Sequence, residues 1–302
     1  MTNNFYSNGK LLITGEYGVL DGALSLAIPS KYGQALHISS NESDNLTWKS
    51  YTNKNEVWFE GVFELETLQE LSSSDNDTAT ALSKMLNEAR ALNPKFLSDY
   101  KGINATTTLD FPRDWGLGSS STLLNNIAEW ANVNPYTLLW NSFSGSGYDI
   151  ACAKHDTPII YSVKNKKPKV QEVVFNPTFK EAIYFIHLNK KQNSREGIAT
   201  YRKADFDKNQ FTSELSELTQ QFIACKDVET FKNLIINHEA LVASITKQTP
   251  VKELLFSDYD GAVKSLGAWG GDFIMAVGNT NTPDYFRNKG YNTILSYNDM
   301  LL

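Results

Sequence analysis

Hydrophobic and polar positions follow two periods along the 302-residue chain, and each change of period marks a change of element. Short apolar runs at residues 11–13, ending before Gly15, and 23–28, ending at Pro29, read as buried strands. Residues 35–38 and 57–65 read the same way, with the polar stretch 39–55 as a hairpin or surface loop. Capping residues crowd positions 72–77. Leu82, Met85, Leu86 and Ala89 then follow at helical spacing until Asn93 and Pro94 stop them. Ile103, Ala105, Thr107, Leu109 and Phe111 share one face of a period-two strand.

Pro112 closes that strand, and residues 116–121 form a loop. Leu123, Leu124, Ile127, Ala128 and Ala131 give the apolar face of a helix beginning near Ser119. Residues 132–135 close it, and a short helix is expected over 137–142. Ser144-Gly145-Ser146-Gly147 is a flexible turn ahead of Tyr148 and Asp149. Strands are expected at 159–163 and 182–188, and the lysine-rich segment 164–169 suits a solvated hairpin. Residues 211–224 and 228–245 read as amphipathic helices, 262–266 as the end of a helix, and 273–277 as a strand after a glycine-rich turn. No internal repeat is visible, and a boundary near residue 178 divides the chain into 1–178 and 179–302.

The most informative loop is Gly116-Leu117-Gly118-Ser119-Ser120-Ser121, between a strand and a helix. Glycine lets backbone approach an anion at positive φ. A helix start offers unpaired N–H groups and the positive end of the dipole. Serine hydroxyls add donors, and one of them can also ligate a divalent cation. No lysine follows the glycines, so this is not the common G-x-x-x-x-G-K-[ST] phosphate loop.

Bulk properties narrow the classes of function. Hydrophobic residues at 41% and charged residues at 21% argue against a disordered chain. A net charge of −6, from 28 basic and 34 acidic residues, argues against a nucleic-acid binder but leaves room for a local anion site. Cys152 and Cys225 form no C-x-x-C pair and are expected as reduced thiols. The four histidines lack metal-ligand spacing. No apolar leader or 18-residue apolar run occurs, so the expected location is the cytoplasm, with no membrane partner.

Three segments together resemble the signatures of the GHMP kinase superfamily, in particular its mevalonate-pathway branch. The first runs from Gly9 and Lys10 through Gly15 and Glu16 to Gly22. The second is Pro112 to Thr122, with Gly-Leu-Gly-Ser-Ser-Ser at its centre. The third is Lys264 to Phe273, with Gly267-Ala268-Trp269-Gly270-Gly271 at its centre, in which Trp269 stands where the family has a glycine. Ser144 to Ala151 further resembles the segment that carries the family's catalytic aspartate.

The resemblance implies an α+β fold in two lobes. The first is a ribosomal-protein-S5-like N-terminal lobe that binds phosphate, and the second a ferredoxin-like C-terminal lobe that closes the cleft. It implies an ATP-dependent, Mg²⁺-dependent kinase that phosphorylates mevalonate or a close relative. Asp149 would be the base or orienter and Lys10 its charged partner, both catalytic. Gly116, Leu117, Gly118, Ser119, Ser120, Ser121, Gly267, Gly270 and Gly271 would hold ATP, with Ser120 on the metal. Glu16, Ser146, Gly147, Ser194 and Arg195 would face the substrate. The acid that holds Mg²⁺ in mevalonate kinases has no counterpart at residues 136–140. Gly-Ser-Gly-x-Asp and Gly-Gly-Asp look more like phosphomevalonate kinases, so the acceptor is a hydroxyl or a phosphate. Alternatives are a diphosphomevalonate decarboxylase, a homoserine or sugar kinase, and a non-catalytic sensor. Assembly as a homodimer is left open.

Overall fold

The computed structural model describes residues 2–191 and 194–302; the side chains of Ser194 and Arg195 lie outside the described residues. The chain divides into two compact units. The first comprises Met1–Gly9, Tyr32–Arg113 and Leu117–Lys154; the second comprises Lys10–Lys31, Asp114–Gly116 and His155–Leu302.

Strands β1 (Thr2–Leu12) and β2 (Ser25–Asn41) pair with one another, and each contributes residues to both units. In the first unit the far half of β2, with β3 (Asn45–Tyr51), β4 (Val57–Glu64), β5 (Glu70–Ser73) and β6 (Gly102–Leu109), gives the order β5-β4-β3-β6-β2. The β3–β6 pair is parallel and its neighbours are antiparallel. The polar stretch 39–55, expected as a hairpin or surface loop, is strand over most of its length, and its β3 forms a hairpin with β4. Leu46, Trp48 and Ser50 are buried at period two while Thr47, Lys49 and Tyr51 are not, an alternation whose polar members hid it. Pro29 does not end β2 either, since the strand continues to Asn41.

Helix α1 (Asn76–Leu92) starts where Asp75 accepts the Thr78 N–H at 2.8 Å, and it buries the expected Leu82, Met85, Leu86 and Ala89. Helix α2 (Ser119–Trp130) buries Leu124, Ile127 and Ala128 against the same core, which also holds Trp48, Phe59, Phe63 and Ile103. Two shorter helices follow, α3 (Pro135–Ser142) and α4 (Tyr148–Lys154).

Apolar packing alone would let α2 rotate about its axis, and a buried polar network fixes its setting. Ser7 donates to Asn126 Oδ1 at 2.7 Å and receives from Asn125 Nδ2 at 2.9 Å. Asn126 Nδ2 donates to the Gln34 carbonyl at 2.9 Å, and Thr122 donates to Gln34 Oε1 at 2.7 Å. These four bonds tie α2 to β1 and β2 and constrain the direction in which the helix begins.

In the second unit residues 25–27 of β2 pair with β7 (Ile159–Lys164), which turns into β8 (Lys167–Glu172). Asn165 and Lys166 at the turn have φ of 53° and 55°, a two-residue hairpin loop, as the lysine-rich segment suggested. Beyond it lie β9 (Ile183–His187), α5 (Ser194–Lys203), α6 (Lys208–Ala224), α7 (Val228–Thr246), α8 (Val251–Leu255), β10 (Ala262–Ser265), β11 (Phe273–Val277), α9 (Thr282–Asn288), β12 (Ile294–Ser296) and α10 (Tyr297–Met300). An antiparallel sheet runs β10-β11-β9-β12. Residues 262–266, expected as a helix end, are mostly strand β10; all four of its residues are buried, so no amphipathic period exists to read.

Replacing Asn126 with Ala takes its donor from the Gln34 carbonyl and its acceptor from the Ser7 hydroxyl. We expect a loss of about 1–3 kcal/mol in urea unfolding, against less than about 0.5 kcal/mol for the exposed Asn87→Ala. Equal midpoints for the two variants would deny the network any part in stability.

Candidate active site

The anion-binding features of the first unit gather at the start of α2. Gly118 is its N-cap, with φ 94° and ψ 41°, and it has no side chain to cap the helix. The first i→i−4 bond runs from Thr122 N to Gly118 O at 3.0 Å, so the preceding amides of Ser119, Ser120 and Ser121 belong to the open first turn. Ser121 turns its hydroxyl back onto Gly118 O at 2.8 Å, whereas Ser120 is exposed. The first turn contains no acidic residue to compete for an anion. Leu117 is fully buried and anchors the loop from below.

Helix α4 packs on α2. Its first turn carries Asp149, half-buried, whose Oδ1 accepts the Ile150 N–H at 3.1 Å. The preceding loop is pinned by Trp140, which donates to Gly145 O at 3.2 Å; Gly145 and Gly147 have φ of 136° and 88°. Ser146 and Gly147 are buried. Burial first, then the charges of Cys152 and Asp149, push the Tyr136 phenol up. Asp149 itself is only partly open to solvent.

In the second unit Lys10, at the end of β1, donates to the Gly116 carbonyl at 2.7 Å. Gly116 has φ 65°, and a Cβ there would lie 2.2 Å from the Asp272 carboxyl carbon, so only glycine fits. Trp115 packs edge-on against Phe273 at 5.3 Å, and His187 Nε2 lies 3.1 Å from the Asp114 carbonyl. These contacts fix residues 114–116 to strands β9 and β11.

The glycine-rich turn of residues 266–272 has positive φ at Gly267 (61°), Trp269 (59°), Gly270 (79°) and Asp272 (51°). Two of its amides are already engaged: Trp269 N donates to the Leu266 carbonyl at 3.3 Å and Asp272 N to the Lys190 carbonyl at 2.7 Å. A Cβ at Gly267 would meet nothing within 4 Å, so that face of the turn is open. Gly271 completes it. Trp269 does not fill the turn, because its indole is 1% exposed and packs among Tyr17, Tyr201, Phe211, Leu215 and Val242.

Glu16 is wholly buried. Lys264 Nζ donates to Glu16 Oε1 at 2.6 Å and lies 3.8 Å from Glu239 Oε1. His238 Nε2 is 3.2 Å from Glu16 Oε2 and 3.3 Å from the Gly15 amide. Ser265 donates to Glu239 Oε2 at 2.6 Å. Burial opposes charge on Glu16, but Lys264 and then His238 outweigh it and hold this carboxyl below its ordinary range. Burial, then Lys264, pulls His238 down. Burial pushes Glu239 up to about 7 against the pull of Lys264. The cluster joins the first motif to the strand that feeds the glycine turn. Of its members, Lys264 opens the third motif with no role assigned to it there, and His238 and Glu239 were not singled out in the sequence, since each alone looks like an ordinary helix residue. Ser194 and Arg195 open α5, and their side chains lie outside the described residues.

Lys264→Met leaves Glu16 buried without its cation, and we expect a loss of about 3–5 kcal/mol in denaturant unfolding. Adding Glu16→Gln recovers part of it; two independent, additive losses would deny the pairing. Glu239 predicts a pH dependence. Its folded pKa lies above the unfolded 4.5, so the native chain keeps a proton that the unfolded chain releases, and Glu239 costs stability as pH rises toward 7. Glu239→Gln should gain on the wild type over that interval, by at most about 3 kcal/mol. His238 contributes the opposite slope in both proteins. A difference in Tm that stays flat from about pH 5 to 8 would exclude this titration.

No protein-family model matches the chain, and no curated protein matches it in sequence. Solved structures do match over their full length. Phosphomevalonate kinase of Streptococcus pneumoniae, in complex with phosphomevalonate and AMPPNP, is 15% identical with a TM-score of 0.72, covering 97% of this chain and 99% of that one. Mevalonate kinase of Methanococcus jannaschii is 14% identical with a TM-score of 0.69, covering 98% and 97%. Galactokinase of Lactococcus lactis, complexed with galactose, is 16% identical with a TM-score of 0.68, covering 98% and 92%. Among the described residues no helix is long and apolar enough to cross a membrane. Three glycine-centred motifs set in this mixed α+β framework accord with those likenesses: the chain has the GHMP kinase fold.

Proposed function

We propose that the chain is an ATP-dependent phosphotransferase that phosphorylates mevalonate, phosphomevalonate or a closely related small acceptor. The single observation that carries this reading is the glycine-capped start of α2, with open first-turn amides and no acid beside them. The glycines of the 266–272 turn would add donors of their own, and the cradle at Gly116 admits no side chain. These residues fit a polyphosphate. Gly116, Leu117, Gly118, Ser119, Ser120 and Ser121 would hold ATP from one segment, and Gly267, Gly270 and Gly271 from another. When bound, ATP supplies the γ-phosphoryl group.

In this reading Asp149 orients the acceptor or takes its proton. Lys10, whose ammonium is fixed by the Gly116 carbonyl, offsets the charge that builds on the acceptor oxygen. Ser120, with its exposed hydroxyl, is the candidate Mg²⁺ ligand beside the phosphates. Among the described residues no group of three His, Cys, Asp or Glu side chains could hold a metal on its own. Glu16 is too deeply buried to touch a substrate and acts through Lys264. Ser146, Gly147, Ser194 and Arg195 remain the candidates for the acceptor side.

The test is ADP release from Mg·ATP with mevalonate, phosphomevalonate, homoserine and galactose in separate reactions. Turnover is expected with one mevalonate species, and Asp149→Asn should lower kcat by about 10²–10⁴-fold. Turnover with galactose or homoserine alone would move the assignment to another acceptor. Nucleotide binding without turnover on any acceptor would favour a sensor. Release of carbon dioxide with ADP from a diphosphorylated acceptor would make it a decarboxylase.

A further inference from the structure

Two aromatic residues of the second unit, Tyr17 and Trp269, have positive φ, 62° and 59°. Bulky side chains adopt positive φ at a cost, so their surroundings must hold them there. Tyr17 is 5% exposed. Its hydroxyl donates to the Ala268 carbonyl at 2.9 Å, in the middle of the glycine-rich turn, and accepts from Gln248 Nε2 at 3.1 Å. Its ring stacks on Tyr201 of α5 at 5.5 Å. A Cβ at Gly197 would lie 2.5 Å from the same hydroxyl oxygen. A glycine inside a helix costs stability, and here it is required by that close approach. Tyr201 and Arg202 in turn grip Asp21 at 2.7 Å and 2.8 Å.

We propose that Tyr17 is a positioning residue that clamps α5 and the glycine-rich turn together through one hydroxyl, with Trp269 as the anchor of the turn. The inference rests on the reading of that turn as a nucleotide site. A turn with glycines at 267, 270 and 271 has much conformational freedom to lose when it closes on a phosphate. The bond to Ala268 fixes a peptide plane between Gly267 and Gly270, and the buried indole of Trp269 fixes the next residue. The turn is therefore shaped before anything binds, and preorganisation of this kind raises affinity. α5 opens with Ser194 and Arg195, so the same hydroxyl that shapes the turn also seats the helix carrying the acceptor-side candidates.

Tyr17→Phe tests this, because it keeps the ring stack and removes only the hydroxyl. Gly197→Ala perturbs the same junction from the helix side. Amide hydrogen exchange without ligand should speed up in both residues 197–203 and residues 267–271 in each variant, while the melting transition stays cooperative. Faster exchange in one segment alone, or in neither, would overturn the clamp. Affinity for AMPPNP, by calorimetry, should fall about fivefold in Tyr17→Phe, with KM for ATP raised and kcat held at saturation. Unchanged affinity would overturn the positioning role. A wild type that binds no AMPPNP would instead sink the nucleotide reading, while the exchange result would still decide the clamp.

Discussion

The contact between Lys264 and Glu16 is the constraint around which the second unit is arranged. Both side chains are wholly buried and 2.6 Å apart. Such a pair adds little net stability over apolar residues of the same shape, but it is costly to break by halves. Its value is therefore in placement. Lys264 leaves β10 immediately before the glycine-rich turn, and Glu16 follows the strand that ends in Lys10 and Leu12. Holding these two points together fixes the first motif and the third motif in one unit, whatever the rest of the chain does. Glu239 and His238 complete the enclosure, and their opposed shifts show how little charge it tolerates beyond one ion pair.

The remaining geometry of the candidate site is set by backbone rather than by side-chain chemistry. Gly116 and Gly118 have φ of 65° and 94°, and the turn of residues 266–272 has four positive φ values. Amides directed by such conformations bind phosphate without any particular side chain. Structures only 14–16% identical to the chain share its fold along nearly all of its length. The polar network of Ser7, Gln34, Thr122, Asn125 and Asn126 does comparable work for α2, since it fixes the direction of the helix whose start presents those amides.

Much of this was legible in the sequence where a period or a punctuating residue made it so. The face of α1, the start of α2 near Ser119 and the lysine-rich hairpin all follow from local rules. β3 was hidden because its outward residues are polar and its inward ones include Ser50. β10 was hidden because all of it is buried. At the candidate site the glycines were visible from their spacing, whereas the cluster of Lys264, His238 and Glu239 was not. Their partner Glu16 lies 248 residues from Lys264, and no local pattern announces such a contact.

Trp269 shows what the third motif demands. A glycine there would reach positive φ freely, and a tryptophan reaches it only against strain. The strain is sustained because the indole is carried away from the open face of the turn into a pocket of Tyr17, Tyr201, Phe211, Leu215 and Val242. The burial of so large an apolar surface stabilises by about 1.5–3 kcal/mol, enough to offset a left-handed residue at about 1–2 kcal/mol. What the turn requires at this position is therefore a backbone angle and a clear concave face, and a side chain is admitted when the core behind it can receive it. The residue that stands where the resemblance would put a glycine is the element that ties the turn to its unit.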